Sequence, residues 1–226
     1  MLRSNFVRTA SAALLLALTI TVPLARAQEP TPPQAEPTWA QEDLMRIVKE
    51  VQHQILSLTN YGVFDWITFG IHGKTIVLKG YASRPTLKDD AARAVKKIPG
   101  IDNVENEIVV LPLSSFDDRI RAQVYNRIYT QPALRKYNAN QGNIAQAMGP
   151  GGASFGLMAG GITNNPPIGY HAINIIVNNG HVTLYGVVLN QSDASIAYIQ
   201  ANGTPGVFSV DNDLVVQGSK PGQAPK

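Results

Sequence analysis

Ile67–Gly80 reads ITFGIHGKTIVLKG, and Ile173–Gly186 reads INIIVNNGHVTLYG, the same pattern displaced by 106 positions (173 − 67). Each stretch is an apolar run, a polar turn containing Gly, and a second apolar run ending in Leu-x-Gly. Two runs of β-branched residues around such a turn predict a β-hairpin. Asn179-Gly180 is a strong turn signal because both positions tolerate a positive φ. The match extends without a gap from Ile67–Val110 onto Ile173–Val216. Ala91 falls on Ala197, Pro99-Gly100 on Pro205-Gly206, Val104 on Val210, Asn106 on Asn212, and Val109-Val110 on Val215-Val216. Glycines, valines and strand alternation in one register mark a duplicated unit.

Outward from the hairpins, each copy reads alike. Leu44, Ile47, Val48, Val51 and Ile55 recur at helical spacing before the first hairpin, as do Ile120, Val124 and Ile128 before the second. After the first hairpin, Ser83 or Thr86 is the expected cap of a helix that admits Pro85 at its start and buries Leu87, Ala91, Val95 and Ile98. Pro99-Gly100 stops that helix, and Val104–Val110 is the third strand. The second copy repeats this with a helix over Asp193–Ala201, a stop at Pro205-Gly206 and a strand over Phe208–Val216. The fold class is therefore α+β: two tandem αββαβ units, each a small three-stranded sheet packed with two helices. A helix between the second and third strands lets them run parallel through a right-handed crossover.

The strands ending in Leu-x-Gly (Ile76–Gly80, Val182–Gly186) and the segments Gly100–Val104 and Gly206–Val210 resemble the BON domain, a bacterial osmotic-stress and nodulation module, in two copies. The resemblance implies an exported, envelope-located protein of the osmotic-stress type, without catalysis, that attaches to membranes by binding phospholipid. It also implies structural roles for Gly80, Gly100, Gly186 and Gly206, at strand exits and helix ends where a Cβ would be strained.

The N-terminus carries an export signal. Arg3 and Arg8 precede an apolar run from Ala10 to Ile20, and Ala25-Arg26-Ala27 is an A-x-A processing pattern. Residues 1–27 read as a signal peptide, and the apolar run is shorter than the roughly 20 residues of a spanning helix. Residues 28–38, with four prolines, read as a disordered tether. The first domain is placed at 39–113 and the second at 114–217, with 218–226 as a disordered tail. The expected location is the periplasm, peripheral on a membrane.

Composition narrows the function. The chain has 226 residues, 19 Lys+Arg, 16 Asp+Glu and no Cys. Without the three arginines of the leader, sixteen cations face sixteen anions, so nucleic acid is not an expected partner. The missing Cys excludes disulfides, thiolate catalysis and Cys-ligated metal. His53, His72, His171 and His181 have no metal-ligand spacing, although His171 and His181 bracket a hairpin across which they can face each other. Glu105 with Glu107 and Asp211 with Asp213 lie at period 2, a solvated strand face more than an acid/base pair. There is no G-x-S-x-G elbow, and the Gly-rich stretch lacks a P-loop ending. No catalytic constellation, cofactor, metal or small-molecule substrate is expected.

Two features remain as binding candidates. Arg119, Arg121, Arg127, Arg135 and Lys136 are the only cations of the second domain before Lys220, and they sit on its first helix and the following turn. Such a surface attracts anionic headgroups, by about 1 kcal/mol per cation near the membrane; a plain solvated helix is the alternative. An insert at about 138–168, including GPGGASFGLMAGG from Gly149 to Gly161, has no counterpart in the first copy. Its glycines suit a disordered linker, yet Phe155, Leu157, Met158 and Ile162 are apolar residues a linker does not need. They suit lipid headgroups, or a protein partner in an envelope complex that meets the insert or the sheet edges.

Overall fold

The computed structural model describes residues 39–138, 167 and 171–218, all within one compact unit of the chain. The expected export signal, the expected Pro-rich tether and nearly all of the insert lie outside the described residues. The first repeat runs α1 (Gln41–Leu56), β1 (Trp66–His72), β2 (Thr75–Ala82), α2 (Pro85–Lys96), β3 (Asn103–Asn106) and β4 (Val109–Val110). The second runs α3 (Ser115–Tyr129), a 3-10 turn (Arg135–Tyr137), β5 (Ile173–Asn178), β6 (His181–Val188), α4 (Gln191–Asn202) and β7 (Ser209–Val216).

Each repeat builds an antiparallel hairpin whose second strand pairs in parallel with the strand that follows the crossover helix. Both hairpins close through two residues, with Gly73 at φ 57° in one and Asn179 and Gly180 at φ 51° and 80° in the other. Period-2 alternation turns Ile76, Leu78 and Ala82 inward onto Ile47, Val51, Leu87, Ala91 and Val95, the first core. In the second, Val182, Leu184 and Val188 meet Ile120, Val124, Ile128, Ala194 and Ala197.

The repeat register persists to single hydrogen bonds. Asn106 donates Nδ2 to the Lys88 carbonyl at 2.9 Å, and Asn212 donates to Ala194 at 3.2 Å, each tying the third strand to the crossover helix. Gly80 and Gly186 sit at φ 114° and 132°; a Cβ would lie 2.0 Å and 1.9 Å from the carbonyl oxygens of Trp66 and Ala172. Only hydrogen fits there.

Two local expectations are corrected. The third strand of the first repeat is not continuous over Val104–Val110. Ile108 turns into the core at 1% exposure, and its N–H bonds the Asn106 Oδ1 at 3.3 Å, which splits the strand into β3 and β4. Nor do Ser83 or Thr86 cap α2. Arg84 holds the N-cap position without a side-chain bond, Pro85 follows it, and the Ser83 N–H is instead held by Asp65 at 2.6 Å.

The segment between α1 and β1 joins the two repeats. Val63 and Phe64, each 1% exposed, pack within the second repeat's core, although that core's own residues begin only at Ile120. The Ile175 N–H donates to the Val63 carbonyl at 2.8 Å, and Asn174 Nδ2 donates to the carbonyls of Asp65 (2.8 Å) and Gly62 (3.3 Å). This strap is braced by the Asp65 carboxylate, which accepts from the N–H groups of Gly62 and Ser83. Burial pushes the Asp65 carboxyl above its usual range, against the opposing pull of those hydrogen bonds and of Arg84.

Candidate functional site

Helix α3 forms because Ser114 accepts from the Asp117 N–H at its start, where Asp117 and Asp118 also complement the helix dipole. Nine of its fifteen residues are buried, so it shows solvent only a narrow stripe. Phe116, Arg119, Gln123 and Arg127 lie along that stripe. Arg119, Arg127, Arg135 and Lys136 are exposed. Arg127 also donates from its guanidinium to the Gly203 carbonyl, which holds the exposed charge in place at the end of α4.

Arg121, one of the five cations named as candidate lipid ligands, is not on the surface. It is 1% exposed and donates to Asp118 Oδ1 at 2.7 Å and to the Val177 carbonyl at 2.7 Å. One residue after the buried Ile120, it lies on the side of α3 that meets the end of β5. A buried guanidinium so held is a structural tie, not a headgroup ligand. Asp117 works beside it, accepting from the N–H groups of Asn179 and Gly180 at 2.9 Å each and so bracing the hairpin turn. Lys136 is only partly available, since its Nζ lies 2.7 Å from Asp193 Oδ2. Burial alone would raise the Asp193 carboxyl, but the bonds from Lys136 and Tyr137 outweigh it and hold it below the usual range.

Charge is segregated across the second domain. On β7, Asn212 and Leu214 face the helices, while Asp211 and Asp213 are exposed on the opposite face of the sheet. Burial, then the nearby Asp213, pushes the Tyr185 hydroxyl up to about 12. The helix side carries the arginines, and beside them stand exposed apolar groups: Phe116 (36%), Ile199 (62%) and Phe208 (69%). The Phe116 and Phe208 rings touch over the Gly180 turn, with centroids 5.9 Å apart. Phe155, Leu157, Met158 and Ile162 lie outside the described residues.

The two histidines do not face each other. His171 precedes β5 and sits 3.1 Å from the Tyr125 hydroxyl, whereas His181 opens β6 at the other end of the hairpin and contacts Ser209. Among the described residues no group of three or more His, Cys, Asp or Glu side chains is placed to hold a metal ion. No described helix is long and apolar enough to cross a membrane.

Sequence reasoning missed the junction of the repeats. Trp66 stacks on Tyr185 with centroids 5.4 Å apart and planes 2° from parallel, and Tyr81 stacks on the same Tyr185 at 6.4 Å. Beside Trp66 a cleft of about 460 Å³ opens between the end of α1, strand β1 and the second repeat, lined by Leu56, Tyr61, Phe69 and Val187 among others. Its signal was present as disagreement between the aligned copies: Trp66 stands over Ala172, Thr68 over Asn174, and Lys79 over Tyr185.

Two αββαβ units with glycine-locked strand exits define a duplicated, compact α+β fold. A family model, the BON domain, matches residues 70–112 and 161–218, one stretch in each unit, and the chain is a tandem BON-domain protein. Among solved structures it is similar to the C-terminal domain of CdsD, the structural protein of the Type III secretion system of Chlamydia trachomatis. Identity is 14%, over 79% of this chain and 99% of that one, with a TM-score of 0.24. A second CdsD structure gives 13%, 77% and 92%, with a TM-score of 0.22. Likeness at those TM-scores says nothing of this chain's role. No curated protein matches the sequence.

Proposed function

We propose that this is an exported, non-catalytic envelope protein whose second BON domain docks on anionic phospholipid, with a part in envelope maintenance under osmotic stress. The observation that carries the reading is the two-sided charge of that domain: Arg119, Arg127 and Arg135 on the helix side, Asp211 and Asp213 on the other. Such a dipole orients the helix layer toward an anionic surface. Phe116, Ile199 and Phe208 are exposed on the same domain, and apolar side chains beside cations bury their area at the boundary of headgroups and acyl chains. The insert residues Phe155–Ile162 are offered as a second apolar contact.

Co-sedimentation with phosphatidylglycerol vesicles tests it. Changing Arg119, Arg127 and Arg135 to Gln removes three charges, at most about 3 kcal/mol of surface attraction, or roughly a hundredfold in affinity. Wild-type binding should weaken with salt and vanish on neutral vesicles. Equal binding by wild type and the triple variant refutes the assignment. A protein partner in an envelope complex is the second reading, favoured by the cleft beside β1.

A further inference from the structure

A sheet edge offers unpaired N–H and C=O groups to any extended chain, and proteins blunt such edges with charge, breaks or covering segments. Three of the edges here are blunted. The β3/β4 edge is broken into four and two residues and carries Glu105 and Glu107. Strand β5 is covered by the strap through the Val63 carbonyl. Strand β7 carries Asp211 and Asp213 outward.

Strand β1 is different. Trp66–His72 (WITFGIH) has no acidic residue, lysine, arginine or proline, and its seven residues pair one to one with β2 without a bulge. Among the described residues, the backbone of Ile67–Ile71 bonds no segment other than β2. The 460 Å³ cleft lies along this same edge, since four consecutive residues, Trp66 to Phe69, line it. Consecutive lining residues mean that the strand's edge, not one pleated face, borders the space. Ile55 and Leu56 in the last turn of α1 also line the cleft, Leu56 being 49% exposed, and so does Val187, 53% exposed. No Asp, Glu, Lys or Arg is among the described residues that line it.

We propose that this groove binds an extended, uncharged, apolar peptide segment of a partner protein as an added strand on β1, with side chains seated between β1 and α1. A strand laid between a sheet edge and a helix takes affinity from main-chain hydrogen bonds and specificity from pockets for alternate side chains. The uncharged walls select against charged segments, because a buried charge without a partner is costly. The proposal does not depend on the lipid reading, which concerns the helix surface of the other domain.

The test uses residues 28–226 with Trp39→Phe, so that Trp66 is the sole tryptophan reporter. The probe is an acetylated, amidated heptapeptide of alternating Val and Thr; its control carries N-methyl groups on alternate amides, which removes the edge hydrogen bonds and keeps the apolar side chains. Expected are saturable binding seen in Trp66 fluorescence, slowed hydrogen exchange within Ile67–Ile71, and at least tenfold weaker binding of the methylated control. Thr68→Lys and Leu56→Glu, both at exposed positions, should each weaken binding tenfold or more while circular dichroism stays native. Absence of saturable binding overturns the proposal. So does equal binding of the methylated control, which would make the groove a general apolar cleft. Binding of N-phenyl-1-naphthylamine without peptide binding assigns it to an acyl chain instead. Dimerisation by light scattering that Thr68→Lys abolishes assigns it to a second copy.

Discussion

Replacing Phe64 by Ala isolates the strap's contribution. The ring is 1% exposed, packs in the second core and lies edge-on to Tyr125 with centroids 6.4 Å apart. Truncating a fully buried Phe costs about 3–5 kcal/mol, the transfer loss plus the cavity. For a protein of this size each kcal/mol lowers Tm by about 2–4 °C, so a fall of roughly 6–20 °C is expected. The informative part is where stability is lost. Although Phe64 belongs to the first repeat in sequence, hydrogen exchange should accelerate first at Ile175, Val182 and Leu184, while Ile76 and Leu78 in the first sheet keep their protection. A loss under about 1 kcal/mol, or one confined to the first sheet, refutes the view that the second core is built partly from the first repeat.

The same reasoning separates the fragments: residues 39–113 keep their whole core and should unfold cooperatively in urea, whereas 114–217, lacking Val63 and Phe64, should be markedly less stable or molten. Gly186→Ala sets a Cβ against the Ala172 carbonyl at a positive φ and should cost about 2 kcal/mol or more by urea titration. Gly70→Ala, with nothing within 4 Å of its added Cβ, should stay within about 0.5 kcal/mol of wild type. Acid titration of urea midpoints should show two opposite terms. Asp193, held below the ordinary 3.8, adds stability above that pH that is lost as pH falls through its folded value, so Asp193→Asn should flatten the acid limb. Asp65, raised by burial, costs stability near neutrality that is relieved as pH falls from its folded value to the ordinary 3.8, so Asp65→Asn should steepen that limb. Mass spectrometry of the protein recovered from the envelope should find Gln28 first, and an intact Met1 terminus there would refute processing.

The hairpins, the crossover helices and the parallel third strands were legible because each is written in a local period, and the duplication supplied the same evidence twice. Helical periodicity identified α3 through Ile120, Val124 and Ile128, but it did not show which of the remaining residues faced water. Arg121 follows Ile120 immediately and reads as outward if only one side of the helix is covered. In fact α3 is buried over most of its circumference, and tertiary contact with β5 decided the matter. Phe64 was invisible for a related reason. It stands in a non-periodic loop, and nothing near it in sequence reveals that its partners lie beyond residue 120. The α2 cap failed because two hydroxyls sat near the helix start while a distant carboxylate, Asp65, claimed the Ser83 amide.

The strap changes what counts as a transferable piece of this protein. Duplicated domains are ordinarily exchangeable: either copy can be excised, permuted or fused elsewhere with its core intact. Here the first repeat remains such a module, but the second has given up part of its interior to its neighbour. The smallest piece that carries the second repeat complete begins before Val63, and so takes all four strands of the first sheet with it and leaves out only α1. An insertion between the repeats, at the exposed Leu113, can be lengthened freely only while it still lets Val63 reach Ile175. Further copies can be gained on the N-terminal side, whereas loss of the first repeat takes Val63 and Phe64 out of the interior of the second.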